Sequence, residues 1–587
     1  MIIGIDLGTT NSEVAIVREG RVHIVTEHGS GIVPSCIGLD PQGNLLVGRE
    51  ARNQYAVRPE HTVRSVKRLM GKTEQIPLGD QTYTPPELSA MILRKLKNMA
   101  EAELGGSVTR AVITVPAYFN DAQRQATREA GALAGLEVLR ILNEPTAAGL
   151  AFEAEGVTGT RHVMVYDLGG GTFDVSILKM SGDVVEVLAS HGDNHLGGDD
   201  IDDLLFSHLL DKFYQDHPEL GALTPVGVNR LKLACEQLKM ELSATAAARL
   251  AELSLPLETA ATTDLIMEVT RPELEALCEE LLHKTMASVR HVMAQSGIGA
   301  GALDEIILVG GSTRMPAIAD LLEEELHIRP RHDVQPELAV AMGAGVMAAR
   351  LGGAKSHRIL VDVTPYTFGV SCMGEVNGEY GPYRFESVIK AGTPLPAQRG
   401  QVFFTMVPGQ EAVQVRVFQG ENPDCRENVF IGDFRITDLD QGADVNSPIL
   451  LNMALDLDGL LTVTAIEQCS GQSKSVVIEG ALKALDEAAL AASREKIAAF
   501  FADENQPLAD DAPPEDDLAD EFEEDEEPAA EQALLERARR ILATLDEVDR
   551  ADLETAIAAF EAAEQPAAAE QALANIEDIL YFAEGKS

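Results

Sequence analysis

The chain has 587 residues, 45% of them apolar, a length that favours three or four domains over a single core. Its formal charge of -47 and aromatic content of 4% argue against a nucleic-acid partner, which is bound through Lys, Arg and stacked aromatic rings. Its six cysteines stand far apart with no C-x-x-C pair, so reduced thiols in a cytoplasmic protein are expected.

The first predicted element is a strand, a turn and a strand at residues 2–16, IIGIDLGTTNSEVAI. Residues 163–177, VMVYDLGGGTFDVSI, align with it without a gap at an offset of 161 residues. Such a repeat predicts a duplicated scaffold in which each half contributes one loop to a shared site. The opening MIIGID is too short an apolar run for a secretory signal, and no later run is long enough for a membrane span, so neither export nor a membrane partner is expected.

The glycines of the two turns predict a phosphate-binding site. Glycines interrupt a buried strand only for a reason such as a tight turn or the close approach of another group. With positive φ they would turn successive backbone N–H groups inward, as a nest for phosphate oxygens. The predicted nest comprises Gly8, Thr9 and Thr10 from one turn, and Gly169, Gly170 and Gly171 from the other.

Two aspartates and a third loop complete the predicted nucleotide site. Asp6 and Asp167 precede the turns and are predicted to hold, through water, the Mg2+ that accompanies nucleotide phosphates. The loop GGSTRMP follows the strand EIILV and is expected beside the nucleoside, through Gly310, Gly311, Ser312 and Arg314. Two other glycine motifs do not predict nucleotide binding. Gly71-Lys72-Thr73 lacks the upstream glycine of a Walker A loop. Gly343-x-Gly345 is similar to a dinucleotide-binding fingerprint, but it follows a helix-like run, which favours helix packing.

The composition and the hydrophobic pattern of the sequence change along the chain. Alternating strand-like and helix-like runs predict an α/β domain over residues 1–354, followed by a linker at 355–364 that carries Ile359, Leu360, Val361 and Asp362. Short alternating runs at 365–480 are typical of an antiparallel β module. A helix is predicted at 481–505, a disordered connector with a dense acidic run at 506–530, and a helical bundle at 531–587.

Six motifs resemble the seventy-kilodalton heat-shock chaperones of the DnaK type: IDLGTTNS, VPAYFNDAQRQAT, NEPTAAG, DLGGGTFDVS, LGGDD and VGGSTRMP. They stand in the family's order, and the resemblance runs from residue 2 to about residue 480. It implies a multidomain protein with an actin-like, duplicated ribonuclease-H-like ATPase domain, a β-sandwich that binds peptides and a small helical lid. It also implies ATP or ADP as ligand, with Mg2+, and with K+ as a further candidate cation.

The resemblance assigns roles to matching positions. Glu144 and Asp174 would orient or activate the attacking water, and Lys67 and Thr172 would contact the phosphate being transferred. Further nucleotide contacts match Asn11, Gly197, Gly198, Glu236, Lys239 and Ser243. The peptide-binding positions match Val370, Cys372, Met373, Phe403, Phe404, Met406, Val413 and Val415, any one of which could equally be a core residue. Pro116 and Arg124 match positions that relay the signal between domains.

The predicted function is therefore an ATP-dependent chaperone that binds and releases unfolded apolar polypeptide segments, with a J-domain co-chaperone and a nucleotide exchange factor as expected partners. Burying all three linker aliphatics would contribute roughly 4–9 kcal/mol, against about 5.5 kcal/mol needed to reverse a two-state equilibrium. Two alternatives stay open. One is a small-molecule phosphotransferase, because sugar and acetate kinases share the scaffold, and the other is a nucleotide-gated binding protein that does not hydrolyse ATP.

Two segments depart from the usual DnaK pattern. Residues 375–395, EVNGEYGPYRFESVIKAGTPL, are longer than expected and leave the rim of the peptide pocket and the peptide preference undefined. The predicted lid is reduced, because its first helix runs into the acidic connector. Together with the sequence PYTFGV, this reduced lid resembles the HscC-like bacterial subgroup of specialised relatives.

Overall fold

The structure is a computed structural model that describes residues 1–501 except 19, 153–158, 183, 332–334, 355–358, 408, 438, 440–446, 468–472 and 477–486, and beyond them only 550, 553, 557 and 558. The chain separates into two units, Met1–Gln506 and Pro507–Ser587. The four described residues of the second unit are helical. The predicted acidic connector and most of the predicted C-terminal bundle lie outside the described residues.

The first lobe of the first unit is built around a mixed sheet. Its strands are β1 (Ile2–Asp6), β2 (Asn11–Arg18), β3 (Arg21–Ile24), β4 (Val33–Pro34), β5 (Cys36–Leu39), β6 (Leu45–Val47), β7 (Thr62–Arg64), β8 (Ile76–Leu78), β9 (Gln81–Tyr83), β10 (Arg110–Val115) and β11 (Glu137–Asn143). Its helices are α1 (Arg49–Tyr55), α2 (Pro85–Leu104), α3 (Asp121–Leu133) and α4 (Glu144–Ala151). The main sheet has the order β11-β10-β1-β2-β3, with β4 paired to β2.

The second lobe repeats this plan. Its strands are β12 (Thr160–Leu168), β13 (Phe173–Ser181), β14 (Val184–Asp193), β15 (Ala247–Pro256), β16 (Thr262–Thr270) and β17 (Glu305–Val309). Its helices are α5 (Gly198–Asp216), α6 (Pro225–Ala244), α7 (Arg271–Ser296), α8 (Pro316–Leu326) and α9 (Ala339–Leu351). The main sheet has the order β17-β12-β13-β14-β18, where β18 (Ile359–Val361) is part of the predicted linker.

The two lobes share a hairpin of one design. Strand β1 is antiparallel to β2 and parallel to β10, and β12 is likewise antiparallel to β13 and parallel to β17. In register, Asp6 faces Glu13 in the first hairpin and Asp167 faces Asp174 in the second. The predicted actin-like duplication is therefore confirmed, and it brings the ends of β1 and β12 to the space between the lobes.

Helix α9 joins the lobes through glycines that permit close packing. A Cβ on Gly343 would lie 1.7 Å from the carbonyl oxygen of Ala147 in α4, and one on Gly345 would lie 2.4 Å from Val22. The Gly343-x-Gly345 motif is thus a packing motif, as predicted, and no nucleotide is needed to explain it. Helix α2 begins as predicted, because Thr84 and Glu87 form a capping box around its first turn.

The β module is a sandwich of two antiparallel sheets. Its strands are β19 (Phe368–Val376), β20 (Glu379–Ile389), β21 (Ala397–Phe404), β22 (Ala412–Gln419), β23 (Val429–Thr437), β24 (Pro448–Leu455), β25 (Leu461–Glu467) and β26 (Ser473–Val476). The sheets have the orders β20-β19-β22-β23 and β21-β24-β25-β26. Their inner faces meet in a core that includes Phe368, Ile389, Val417, Ile431, Met453 and Val463.

Helix α10 (Glu487–Phe500) overlaps the predicted first lid helix and packs against the first lobe. Ile497 and the adjacent Phe501 are buried in that lobe's core. The Ser493 hydroxyl donates to Glu87 Oε1 at 2.8 Å, and Arg494 Nη2 donates to the carbonyl of Ala132 at 2.7 Å. Sandwich and helix thus both belong to the unit that contains the two lobes.

Candidate active site

A cleft of about 540 Å3 opens where the two hairpin turns approach each other. Most of the predicted phosphate and metal residues line it, together with part of the third loop. The lining residues include Asp6, Gly8, Thr9, Thr10, Asn11, Glu13, Lys67, Glu144, Asp167, Gly169, Gly170, Thr172, Gly310, Gly311 and Glu337. Residues far apart in the sequence therefore meet in one polar cavity, as a shared site between duplicated halves requires.

The turn glycines are needed for close approach and not for positive φ. None of Gly8, Gly169, Gly170 and Gly171 has a positive φ, so the predicted conformation of the nest is wrong. A Cβ on Gly170 would instead lie 1.7 Å from Thr10 Oγ1, and one on Gly171 would lie 2.4 Å from Thr9 Cγ2. The opposed turns interlock so tightly that a side chain has no room. Only Gly310, in the third loop, has a positive φ, at 83°.

Acidic side chains and one lysine form the floor of the cleft. Lys67 Nζ donates to Glu144 Oε1 at 2.5 Å, and both side chains are almost completely buried. The Thr114 hydroxyl donates to Asp6 Oδ1 at 2.7 Å. Asp174 does not line the cleft: it lies opposite Asp167 on the neighbouring strand β13, where the backbone N–H of Tyr118 donates to its Oδ1 at 3.1 Å.

Acidic side chains outnumber basic ones in this cluster. Lys67 is the only basic side chain among the described residues that line the cleft. Burial, followed by the charge of Glu144, raises the pKa of Asp6 to about 7 and the pKa of Asp167 well above its ordinary value. Burial alone would lower the pKa of Lys67, but Glu144 and Asp6 outweigh it and the pKa is raised. Such a cluster attracts a further cation.

Glu13 is a site residue that sequence reasoning missed. Its side chain lines the cleft, and burial, followed by the charge of Asp6, raises its pKa well above the ordinary value. The signal was present in the sequence, because the 161-residue offset between the hairpins places Glu13 on Asp174. Glu337 was missed for a different reason: it reaches the cleft from the segment before α9, far from any recognised motif, and pairs with Arg314.

The remaining predicted nucleotide residues surround the cleft without lining it. Gly197 and Gly198 brace the second turn, since the Gly198 N–H donates to the carbonyl of Gly169 at 2.9 Å. The Ser312 hydroxyl donates to that same carbonyl, also at 2.9 Å. On α6, Lys239 forms an ion pair with Asp202 at 2.8 Å, while the Ser243 hydroxyl bonds within its own helix.

Polar contacts bridge the two lobes beside the cleft. Glu236 on α6 forms ion pairs with two arginines of the first lobe, Arg52 at 2.8 Å and Arg64 at 3.3 Å. Arg68 Nη2 pairs with Asp200 at 2.5 Å, and its Nε donates to the carbonyl of Gly171 at 3.1 Å. These arginines have no motif of their own in the sequence. They hold the lobes closed around the predicted nucleoside position.

The linker lies along the second lobe as an extra strand. Residues 359–361 pair in parallel with residues 184–186 of β14, and Leu360 packs against the apolar cluster between the lobes. Asp362 is buried and accepts hydrogen bonds from Asn143 Nδ2 at 2.9 Å and Thr146 Oγ1 at 3.2 Å. Residues 355–358 of the predicted linker lie outside the described residues.

Arg124 connects the first lobe to the sandwich. Its Nη2 donates to Asn143 Oδ1 at 2.8 Å and to the carbonyl of Ala117 at 3.0 Å, next to the buried Pro116. Its Nη1 donates to the carbonyl of Asp458, in the β24–β25 turn, at 3.3 Å. The Asp458 carboxylate pairs with Arg128 and accepts the N–H of Ile141 at 3.1 Å. The sandwich is thus docked through a polar interface.

The eight predicted peptide-binding residues divide into two groups. Val370 and Val415 are buried in the sandwich core, and Cys372, Phe403 and Val413 pack partly against it. Met373, Phe404 and Met406 are exposed, Phe404 by 58%. The structure therefore brings only the second group to the surface.

A two-lobed cleft on duplicated hairpins, docked to a β-sandwich through a paired linker, defines an ATPase of the actin-like class with a coupled second domain. The sequence matches the family described as Hsp70 protein over residues 2–581. It is 41% identical to "Chaperone protein DnaK" of Thermotoga petrophila over 82% of this chain and 80% of the relative. It is also 41% identical to the Halobacterium salinarum protein of that name, over 83% and 76%.

The chain belongs to the Hsp70 family. It is accordingly an ATPase that binds nucleotide and an ATP-dependent chaperone, and the phosphotransferase and non-hydrolysing alternatives are not favoured. No described helix is long and apolar enough to cross a membrane. The HscC-like subgroup stays a prediction.

Proposed function

We propose that ATP hydrolysis in the cleft controls how firmly the β-sandwich holds apolar polypeptide segments. The observation that carries this proposal is the adjacency of Asn143 and Glu144 at the start of α4. Glu144 faces the cleft beside Lys67, while Asn143 binds both the linker carboxylate Asp362 and Arg124. A small shift of α4 therefore changes the contact of Glu144 in the cleft and the contacts of Asn143 with the linker and Arg124 at the same time.

A second route runs through the other carboxylate. The backbone N–H of Tyr118 donates to Asp174. The backbone carbonyl of Tyr118 accepts the hydroxyl of Tyr366, a residue at the base of the sandwich, at 2.7 Å. The two phenol rings also lie against each other, with centroids 4.5 Å apart. Glu144 is thus adjacent to Asn143, which binds the linker, and Asp174 is bonded to Tyr118, which binds the sandwich.

The residues present fit a magnesium nucleotide. The interlocked glycine turns leave a cradle that a Cβ would fill, and Thr9 Oγ1 is buried without a hydrogen-bond partner among the described residues. No three His, Cys, Asp or Glu side chains in the described part of the chain converge to bind a metal directly. Asp6 and Asp167 would therefore hold Mg2+ through water, as expected for an ion that keeps its hydration, and K+ is a further candidate.

Hydrolysis in this site depends on position and charge. Bound Mg2+ would neutralise phosphate charge as the terminal phosphoanhydride bond breaks. Glu144, which lines the cleft, orients the attacking water and accepts its proton, giving ADP and inorganic phosphate. Asp174, which does not line the cleft, helps to orient that water as a positioning residue, held by the backbone N–H of Tyr118. Lys67 and Thr172 contact the phosphate being transferred. The pairing of Lys67 with Glu144 keeps the ammonium charged and fixed in the cleft.

The docked linker is one state of the proposed switch. Leu360 and Val361 are only partly buried, so each contributes about half of the 1.5–3 kcal/mol that full burial provides, or roughly 1.5–3 kcal/mol together. That is below the roughly 5.5 kcal/mol that a complete switch requires. The polar contacts of Asp362, Arg124 and Asp458 must supply the remainder. Hydrolysis would weaken those contacts, release the linker and trap the client.

The client surface is the exposed part of the sandwich. More than half of the large apolar side chains that are exposed in the described chain lie between residues 370 and 460. Phe404 is the last residue of edge strand β21, and Met406 lies just beyond it. Along such an edge an extended segment can add main-chain hydrogen bonds and place its side chains in pockets. Val370 and Val415 would shape the floor from within the core.

Partners and location follow from the same scheme. A J-domain co-chaperone would accelerate hydrolysis, and an exchange factor would release ADP by opening the contacts of Arg52 and Arg64 with Glu236. A cytoplasmic protein of the specialised HscC-like kind is the proposed setting. The domain limits predicted above, with the linker at 355–364, serve as limits for cutting the chain in experiments.

The test measures phosphate release with and without an unfolded apolar peptide. Wild type should be stimulated by peptide, and Glu144→Ala should lose about 100-fold or more of its turnover. Leu360→Asp with Val361→Asp should abolish the stimulation, whereas Leu351→Asp, an exposed apolar residue just before the linker, should keep it. Normal stimulation of the linker variant would contradict the coupling.

A further inference from the structure

The carboxyl group of Glu13 lies in the cleft without a partner. The Glu13 side chain is 2% exposed and lines the cleft, yet it makes no hydrogen bond and no ion pair within the part of the chain that the structure describes. The neighbouring carboxyls differ, because Asp6 accepts the hydroxyl of Thr114 and Glu144 accepts Lys67. A buried carboxyl without a partner is destabilising, so Glu13 indicates a ligand that the cleft takes up.

Strand order places Glu13 at one end of a row of acidic side chains. The main sheet of the first lobe runs β11-β10-β1-β2, so Glu144 after β11, Asp6 at the end of β1 and Glu13 in β2 follow one another across it. Asp6 and Glu13 are directly opposed in the hairpin, so their side chains share a face. Neighbouring strands lie about 4.8 Å apart, and Glu13 is therefore on the far side of Asp6 from the pair of Lys67 and Glu144.

The segment that begins α9 forms the end of the cleft beside Glu13. Pro336, Glu337 and Val340 of this segment line the cleft. The carboxylate of Glu337 is already engaged, because it forms an ion pair with Arg314. At this end of the described cleft, Glu13 therefore offers a carboxyl whose oxygens are available to a ligand.

The second hairpin shows what the longer side chain of Glu13 adds. Asp174 occupies the equivalent position, opposite Asp167, but it does not line the cleft, and it accepts the backbone N–H of Tyr118. Glu13 is longer than Asp174 by one methylene group and does reach the cleft. The first hairpin thus offers the cleft two carboxyls, of Asp6 and Glu13, where the second offers that of Asp167.

A cation suits these groups. Among the described residues that line the cleft, Asp6, Glu13 and Asp167 carry carboxyls without a basic partner, and a Mg2+ held by Asp6 and Asp167 would leave Glu13 unpartnered. No three acidic, thiol or imidazole side chains of the described chain converge to bind a metal by themselves. Divalent ions such as Mg2+ are commonly held by one or two carboxylates together with substrate phosphates. A second ion at Glu13 would therefore bind together with the nucleotide.

We propose that Glu13 is a direct ligand of a second divalent cation, which the nucleotide phosphates help to hold at the α9 end of the cleft. The inference rests on the proposed nucleotide site and adds to it an ion distinct from the one that Asp6 and Asp167 would hold through water. The carboxylate oxygens of Glu13 favour a divalent ion, whereas K+ is typically held by neutral carbonyl oxygens.

The test counts Mn2+ ions on full-length protein that carries one ADP per chain. Mn2+ alone is added in sodium chloride, which screens the acidic surface, and electron paramagnetic resonance of the free ion gives the number bound. Wild type should bind two Mn2+ per chain with ADP and fewer without it. Glu13→Gln removes the charge and Glu13→Asp shortens the reach, so each should bind one. Glu129→Gln, at a half-buried position of α3 that does not line the cleft, should bind two.

The outcomes separate the second ion from the nucleotide site itself. One Mn2+ on wild type, or two on both Glu13 variants, would overturn the second ion alone. Displacement of the second Mn2+ by K+ as readily as by Mg2+ would contradict a divalent site. Failure of wild type to bind ADP would instead overturn the proposed nucleotide site.

Thermal melting without nucleotide checks for a structural role of Glu13. Because Glu13→Gln removes a buried carboxyl that has no partner, it should not lower the melting temperature. A lower melting temperature, or the loss of both ions, would show that Glu13 supports the fold of the cleft and would count against its role as a metal ligand. Glu13→Asp, which keeps the carboxyl, still reports on the second ion if Glu13→Gln does not fold.

Discussion

The cleft and the client surface differ in packing and exposure, because the cleft is buried and tightly packed and the client surface is apolar and exposed. In the cleft, polar groups from both lobes are buried and interlocked, so that Gly170 and Thr10 leave no room even for a methyl group. On the sandwich, Phe404 and Met406 stand exposed, and only the core beneath them is packed. A site that cleaves one molecule needs fixed geometry, and a surface that accepts many sequences needs exposed apolar area.

The cleft should respond to small changes, and the surface should not. A missing charge or an added methyl in the cleft acts on chemistry directly, because the surroundings cannot rearrange. A changed side chain on the sandwich surface alters affinity by the area it contributed. The linker and the Arg124 interface connect the two regions, so changes there should alter the coupling between them.

The largest effect is expected for Lys67→Ala. Lys67 carries the only positive charge that lines the described cleft, and its loss leaves Glu144 buried without its partner. We expect ATP turnover to fall by a factor on the order of 100–1000, as when one preorganised charge is removed from a transition state. Single-turnover hydrolysis measures this, and thermal melting checks the fold. Near-normal turnover in a folded variant would show that fixed charge is not what the cleft provides.

The glycine turns allow a sharper test with a matched control. Gly170→Ala would place a methyl group 1.7 Å from Thr10 Oγ1, whereas Gly169→Ala would meet its nearest atom at an ordinary 3.6 Å. We expect the first to weaken ATP binding about 100-fold, by forcing the turns apart, and the second to change it by no more than a few fold. Calorimetric titration with magnesium ATP compares them. Equal losses in both would favour backbone flexibility over close approach.

This contrast also explains what the sequence could predict. The duplicated hairpins place Asp6 and Asp167 by strand register alone, so local pattern was sufficient to locate them. The conformation of the glycines could not be predicted, because it depends on the opposing turn, far away in the sequence. Glu337 and the bridging arginines reach the cleft through lobe packing, which leaves no local pattern.

For the sandwich, local pattern was less informative. An alternating strand shows which residues share a face, but not which face meets the other sheet. Val370 and Phe404 therefore looked alike in the sequence, although one is buried in the core and the other is exposed. Only sheet pairing separates residues that support the client surface from residues that form it.

The two kinds of sandwich residue should separate in experiment. Val370→Ala removes buried methyl groups and should lower the free energy of unfolding by about 2 kcal/mol. Phe404→Ala should leave stability within about 0.5 kcal/mol and weaken peptide binding several-fold. Denaturant unfolding and fluorescence titration measure the two quantities. A Phe404 variant that loses stability without losing affinity would place that residue in the fold and not in the client surface.

The smallest effect is expected at the interface between the two regions. Asp121, at the start of α3, accepts the N–H of Leu461 from the sandwich at 3.1 Å, while its Oδ2 is buried without a partner among the described residues. Burial raises the pKa of Asp121 to about 6. A carboxyl with a raised pKa penalises the docked state when it is ionised. The penalty is absent below the ordinary pKa, grows as pH rises, and is complete above about pH 6–7.

Docking should therefore weaken from pH 5 to pH 7.5, by on the order of 1 kcal/mol, because the sandwich supplies only part of the burial. Asp121→Asn keeps an acceptor for Leu461 and removes the charge, so it should dock at least as tightly at pH 7.5 as wild type does at pH 5. Burial also raises the pKa of Asp362, so a smaller pH dependence should remain in this variant. Energy transfer between labels on the first lobe and the sandwich, in saturating ATP, follows docking, with the exposed Asp211→Asn as control. If wild type docks more tightly at the higher pH, ionised Asp121 must gain more from Arg124 than it loses by burial, and the interface would be governed by ion pairing as the cleft is.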